Sequence, residues 1–234
     1  MRSFLGILGF IVAIAAVPVG AALAHGGGST SGPAGMVTAT PRSIADAAKN
    51  AYNAGVRNIK KAKEYDAESA KASTPEKAAK AHLKAQNAYH DAVASFIDAV
   101  GADPKMYEAW NYLGFANRHL GNYEDALSSY AKALEINPDY PDAIEYRGEA
   151  YLGLNQIEEA KGAYMALFSA SRPLADELMV AMHHWADARH QDSQGLSSAD
   201  VEAFTKWMNE RTSVAAQTAS LAIGAAQPWS AGLH

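Results

Sequence analysis

"AWNYLGFANRHLGNYEDALSSYAKALEINPDYPDA", residues 109–143, places glycines inside a helical pattern, alanines at positions where a core residue belongs, and a proline near its end. Gly114, Ala126 and Ala133 are small enough to let two antiparallel helix backbones approach, while Trp110, Leu113, Tyr130 and Leu134 fill the space around them. Gly121 and Asn122 end the first helix, because both residue types tolerate the left-handed conformation of a helix terminus. Pro138 closes the second helix and opens the next unit.

The same features recur at a shift of about 34 residues. Forward, Gly114 falls on Gly148, Ala116 on Ala150, Leu120 on Leu154, Ala126 on Ala160 and Tyr130 on Tyr164; backward, Tyr123 falls on Tyr89, Ala126 on Ala92, Tyr130 on Phe96, Ala133 on Ala99 and Pro138 on Pro104. Glycine costs roughly 1 kcal/mol against alanine inside a helix, so its recurrence one period on points to packing. Three consecutive segments therefore share one plan.

Outside these units the chain stays helical. Ile44, Ala47, Ala51, Val56 and Ile59 make one amphipathic helix, the Ser73–Glu76 cluster breaks it, and Pro75 starts a second that runs to Val100. After the last unit, Leu174, Leu178, Met182 and Trp185 form one stripe, and Ser197 or Ser198 begins a further helix bearing Val201, Phe204, Trp207 and Met208. The stretch beyond Arg211 is too rich in small residues to assign.

The N-terminus, "MRSFLGILGFIVAIAAVPVGAALA", has one positive charge, an apolar run broken by Pro18 and Gly20, and a small-x-small triplet, Ala22 to Ala24. This pattern predicts a secretory signal cleaved after Ala24 and a periplasmic or secreted mature protein of roughly 210 residues with no stable membrane span. With no cysteine, disulfides and thiolate metal sites are excluded. The formal net charge of −5, one unit more negative without Arg2, disfavours generic nucleic-acid binding. Bases outnumber acids from Arg42 to Met106, whereas acids outnumber bases about two to one from Tyr107 onward.

On the residues Trp110, Leu113, Gly114, Ala126, Tyr130, Ala133 and Pro138, segment 107–140 resembles a tetratricopeptide repeat. It departs from that family at Asn117, where an aromatic is usual; segment 141–172 is similar at Gly148, Tyr151, Ala160 and Tyr164 but carries Arg147 for a leucine and Leu167 for an alanine. The expected organisation is a signal peptide (1–24), a flexible leader (25–42), an elongated N-terminal hairpin with a degenerate repeat (43–106), two repeats (107–140, 141–172), capping helices (173–212) and a tail (213–234). The fold class is all-α, a short right-handed helical-hairpin solenoid.

The resemblance implies a concave surface lined by the first helix of each pair, and so a non-catalytic adaptor binding a protein or peptide segment through Asn111, Phe115, Arg118, Glu145 and Glu149. Lys77, Ala81 and Lys84 take related places if the degenerate unit stacks normally. The mixture suits an amphipathic or basic peptide, with Phe115 as anchor and the two acids reading positive charge. The family's clamp for cytosolic chaperone tails uses a lysine and asparagine pattern that Asn111 and Phe115 do not provide.

A rival reading is metal handling, through His25 at the mature N-terminus or through His183, Asp187 and His190 at i, i+4 and i+7. Those three equally suit the exposed face opposite Leu178 and Trp185, and His82 and His90 are a weaker pair. No phosphate loop, nucleophile turn or catalytic carboxylate pair is present, and no cofactor is implied. Self-association through the C-terminal apolar helices is compatible with either reading.

Overall fold

The computed structural model describes residues 40–225, an all-α chain of eight helices among these residues: α1 Pro41–Ala70, α2 Pro75–Ala102, α3 Tyr107–His119, α4 Tyr123–Ile136, α5 Pro141–Gly153, α6 Ile157–Ala170, α7 Arg172–Gln191 and α8 Ser198–Ala225. Consecutive helices pack as hairpins, and the hairpins stack so that α1, α3, α5 and α7 touch in series as inner helices, each backed by an outer one. None of the described helices is long and apolar enough to cross a membrane.

The boundaries follow from local chemistry. Thr40 and Thr74 accept from the backbone N–H of Ser43 and Lys77, and Pro41 and Pro75 occupy the first turns, where a missing N–H costs nothing. Gly121 has φ +79°, and its N–H donates to Arg118 O while that of Asn122 donates to Asn117 O, the double bond pattern of a left-handed helix end. Asn155, one period on, takes φ +59° and is followed by the equivalent Gln156 to Tyr151 bond. Asn122 itself is not left-handed; it sits at φ −83° as the cap of α4.

The period is a packing period. Ala92, Ala126 and Ala160, and with them Phe96, Tyr130 and Tyr164, are fully buried at equivalent places on α2, α4 and α6. A Cβ added to Gly114 would lie 2.6 Å from the Tyr130 ring, so the glycine is what lets α3 and α4 close. Gly55 of α1 meets Phe96 at the same 2.6 Å. The departures from the repeat pattern are accommodated: Asn117 is buried and accepts from the Asn122 side-chain amide at 3.4 Å, and Arg147 lies over the Tyr151 ring. Leu167 is buried in the C-terminal core together with Ala175 and Leu178.

Three expectations need correction. Helix α1 starts at Pro41, inside the segment assigned to the leader, because Thr40 caps it. Helix α8 runs to Ala225 through the segment assigned to the tail, as alanine-rich sequence readily does. Lys77, Ala81 and Lys84 belong to α2, an outer helix; the inner helix of the first hairpin is α1.

Candidate functional site: the inner face of the stacked hairpins

Sequence-predicted residues Asn111, Phe115 and Arg118 lie on α3, and Glu145 and Glu149 lie on α5. The structure brings Phe115, Arg118, Glu145 and Glu149 together, but mostly as interior. Asn111, Phe115 and Glu145 are buried. The Phe115 ring meets Tyr146 edge-on at 5.1 Å and lies 4.4 Å from His119 centroid to centroid; Lys63 Nζ of α1 stands 4.7 Å above it and the Arg118 guanidinium 5.3 Å away. Such cation–ring contacts stabilise most where water is displaced. Phe115 thus ties α1, α3 and α5 together.

Arg118 and Glu149 form an ion pair, with Arg118 Nη1 donating to Glu149 Oε2, and their side chains remain 14% and 24% exposed. Burial pushes the Glu145 carboxyl well above the ordinary carboxylate range, helped by the charge of Glu149 beside it. It therefore holds its proton at neutral pH. The His119 imidazole, exposed on its outer side and packed on Tyr89 and Phe115 on its inner side, is pushed below the ordinary range, first by that partial desolvation and then by the charges of Arg118 and Lys63. The two acids expected to read positive charge consequently offer none freely: one is neutral and the other is paired.

The proton on Glu145 gives a measurable consequence. The native state retains it over a pH range in which the unfolded chain, with an ordinary carboxyl near 4.5, releases it, so this group's stability contribution falls as pH rises above that value. Glu145→Gln cannot ionise and is expected to gain on the wild type from pH 5 upward, by on the order of 2 kcal/mol at pH 8, read as urea midpoints. The depressed His119 acts in the opposite sense, with stability lost as pH falls below 6.5. Because it is present in both proteins, it cancels in the difference. Parallel pH curves for the two proteins would mean Glu145 is ionised.

Beside the Arg118–Glu149 pair opens a cavity of about 410 Å³ whose wall includes Leu152 of α5 and Ala181, Trp185 and Arg189 of α7. Gly153 shapes it, since a Cβ there would lie 2.4 Å from the Tyr123 ring that rests against it. Arg189 Nε donates to Asn155 Oδ1 at 2.9 Å, and its guanidinium lies 5.2 Å from the Trp185 ring centroid. Trp185 Nε1 is buried with no hydrogen-bond acceptor among the described residues. A buried donor without a partner is costly. The sequence places Trp185 on the capping stripe and gives Arg189 no role of its own. Their spacing, Ala181, Trp185 and Arg189 at four-residue steps, was a usable signal once α7 is treated as an inner helix continuing α3 and α5.

Among the described residues no three His, Cys, Asp or Glu side chains gather as a metal site, so His183, Asp187 and His190 are not brought together. His82 and His90 are exposed on α2, and His25 lies outside the described residues.

Residues 76–141 match one family model described as tetratricopeptide repeat, and residues 117–172 match another. No curated protein matches the chain. Among solved structures, the chain is similar to the first tetratricopeptide domain of Spaghetti (RPAP3) bound to an HSP90 peptide, at 20% identity over 58% of this chain and 95% of that one, TM-score 0.40. It is similar also to the second such domain of human RPAP3 in complex with an HSP70 peptide (17%, 61% and 98%, TM-score 0.42) and to MamA (20%, 76% and 89%, TM-score 0.41).

Proposed function

We propose that this chain, whose residues 76–172 are tetratricopeptide repeats, is a non-catalytic adaptor that binds a peptide or protein segment on its inner face and works in an exported compartment, the periplasm or outside the cell. The cavity between α5 and α7 carries the binding reading: it combines an apolar wall with charged groups at its rim. An apolar side chain would seat against Leu152, Ala181 and Trp185. Since Glu149 is neutralised by Arg118 and Glu145 is protonated, the charge left over is that of Arg189. The segment that fits is amphipathic with an acidic residue beside its anchor, a change of sign from the basic segment expected on sequence. The export reading rests on the N-terminal pattern ending at Ala24.

Crosslinked capture from envelope extract tests both parts. Ala188 lines the same cavity and is exposed, so Ala188→Trp with Arg189→Glu fills and recharges the site without cutting into the core. A protein held by the wild type and lost by this variant is the expected result, and an intact mass beginning at His25 is expected for the envelope form. Equal capture by both proteins would remove the cavity from consideration, and an uncleaved cytoplasmic form would remove the export reading.

A further inference from the structure

Helix α2 carries a second regular face that nothing described covers. Leu83, Asn87, His90, Ala94, Ile97 and Gly101 recur at alternating four- and three-residue steps, and all are exposed. This is the spacing of a helix seam that pairs with another helix. The buried residues of α2, including Ala85, Ala92, Phe96 and Ala99, occupy the opposite side. Leu83 at 57% and Ile97 at 53% are among the most exposed large apolar side chains of the described residues.

We propose that this seam pairs with the same seam of a second copy, antiparallel, about a two-fold axis at His90. The arrangement of charge selects both the occupant and the direction. Past Glu76 in its first turn, the first half of the helix carries the exposed Lys77 and Lys80, with Lys84 half-buried and paired to Glu68, and the second half carries the exposed Asp91 and Asp98. Neither Lys80 nor Asp98 has an ion-pair partner among the described residues. Both project from the same flank of the seam, since helical residues 18 apart fall at the same angle. Antiparallel pairing centred on His90 places Leu83 against Ile97 of the second copy and Lys80 beside Asp98 of the second copy, with each contact made twice by symmetry. Parallel pairing would carry the Lys80 and Asp98 flanks of the two copies to opposite sides of the seam, where Lys80 and Asp98 cannot meet. The seam is an outer-helix surface, distinct from the cavity between α5 and α7, so a dimer leaves that cavity free.

The full mature chain is the material for the test. Sedimentation equilibrium is expected to show a monomer–dimer equilibrium in the micromolar range, and Leu83→Glu with Ile97→Glu to give monomer with unchanged helix content. Lys80→Asp is expected to weaken the dimer about tenfold, and adding Asp98→Lys to restore it. Because the chain has no cysteine, single introduced thiols report the direction cleanly. His90→Cys lies on the axis and is expected to crosslink to itself; Leu83→Cys, whose copies would stand about 21 Å apart along the helices, is expected to crosslink to Ile97→Cys and not to itself. A wild type that stays monomeric at about 100 μM, well above the micromolar range, would overturn the proposal, whatever else covers the seam. Self-crosslinking of Leu83→Cys as fast as that of His90→Cys would overturn it too.

Discussion

Gly114→Val is expected to destabilise the protein by about 3 kcal/mol, a fall of roughly 6–12 °C in melting temperature for a body of this size. A single methyl at Gly114 already falls 2.6 Å from Tyr130 Cε1, and Tyr130 is fully buried between α4 and its neighbours, so its ring cannot swing clear. Relief requires α3 and α4 to separate, which opens the hairpin core. Gly162 on α6 supplies the control, because a Cβ there meets nothing within 4 Å. Gly162→Ala should gain up to about 1 kcal/mol from helix propensity, whereas Gly114→Ala should lose stability. Coupling is expected as well: Tyr130→Leu should cost less in the Gly114→Val background than alone. Equal behaviour of the two glycines would show that helix propensity, and not close approach, explains the repeat's glycine.

The second large effect concerns charge. Arg118→Met leaves Glu149 without its cation beside the protonated Glu145, in a site walled by the Phe115 and Tyr146 rings. Removing one member of a buried pair costs about 3–5 kcal/mol, and partial access of water to Glu149 sets the expectation at the lower end, about 3 kcal/mol. Glu149→Gln in the same chain should recover most of that loss, since no unpaired charge remains. Urea unfolding of the two single variants and the double variant reads this directly. A cost below about 0.5 kcal/mol for Arg118→Met would place the pair among solvent-screened surface contacts.

The recurrent units were legible because their signal is local and repeated. Ala126 and Tyr130 have buried counterparts of like size in Ala92 and Ala160 and in Phe96 and Tyr164, so the same sizes return at the same interval. Gly55 does for Phe96 what Gly114 does for Tyr130, yet the repeat period does not reveal it. Its hairpin is elongated, and the separation of glycine and ring therefore no longer matches the period. The left-handed Asn155 was similarly hidden, being an asparagine where the preceding unit has Gly121.

The inner face was legible in membership and illegible in accessibility. Of the five residues the resemblance selected, Phe115, Arg118, Glu145 and Glu149 lie side by side, yet the resemblance treated the face as open surface. Side chains from helices far apart in sequence close over it: Lys63 from α1 above Phe115, and Tyr146 from α5 against the same ring. The spacing within α3 contains no information about either.

The sequence by itself determined the all-α hairpin architecture, the register of its repeats and the placement of small against large side chains, because these depend on intervals along the chain. Tertiary structure alone decided which inner-face groups are buried, which acid keeps its proton, and where a cavity opens between α5 and α7. Burial and desolvation are set by everything that surrounds a group, and those surroundings come from parts of the chain that no local pattern connects.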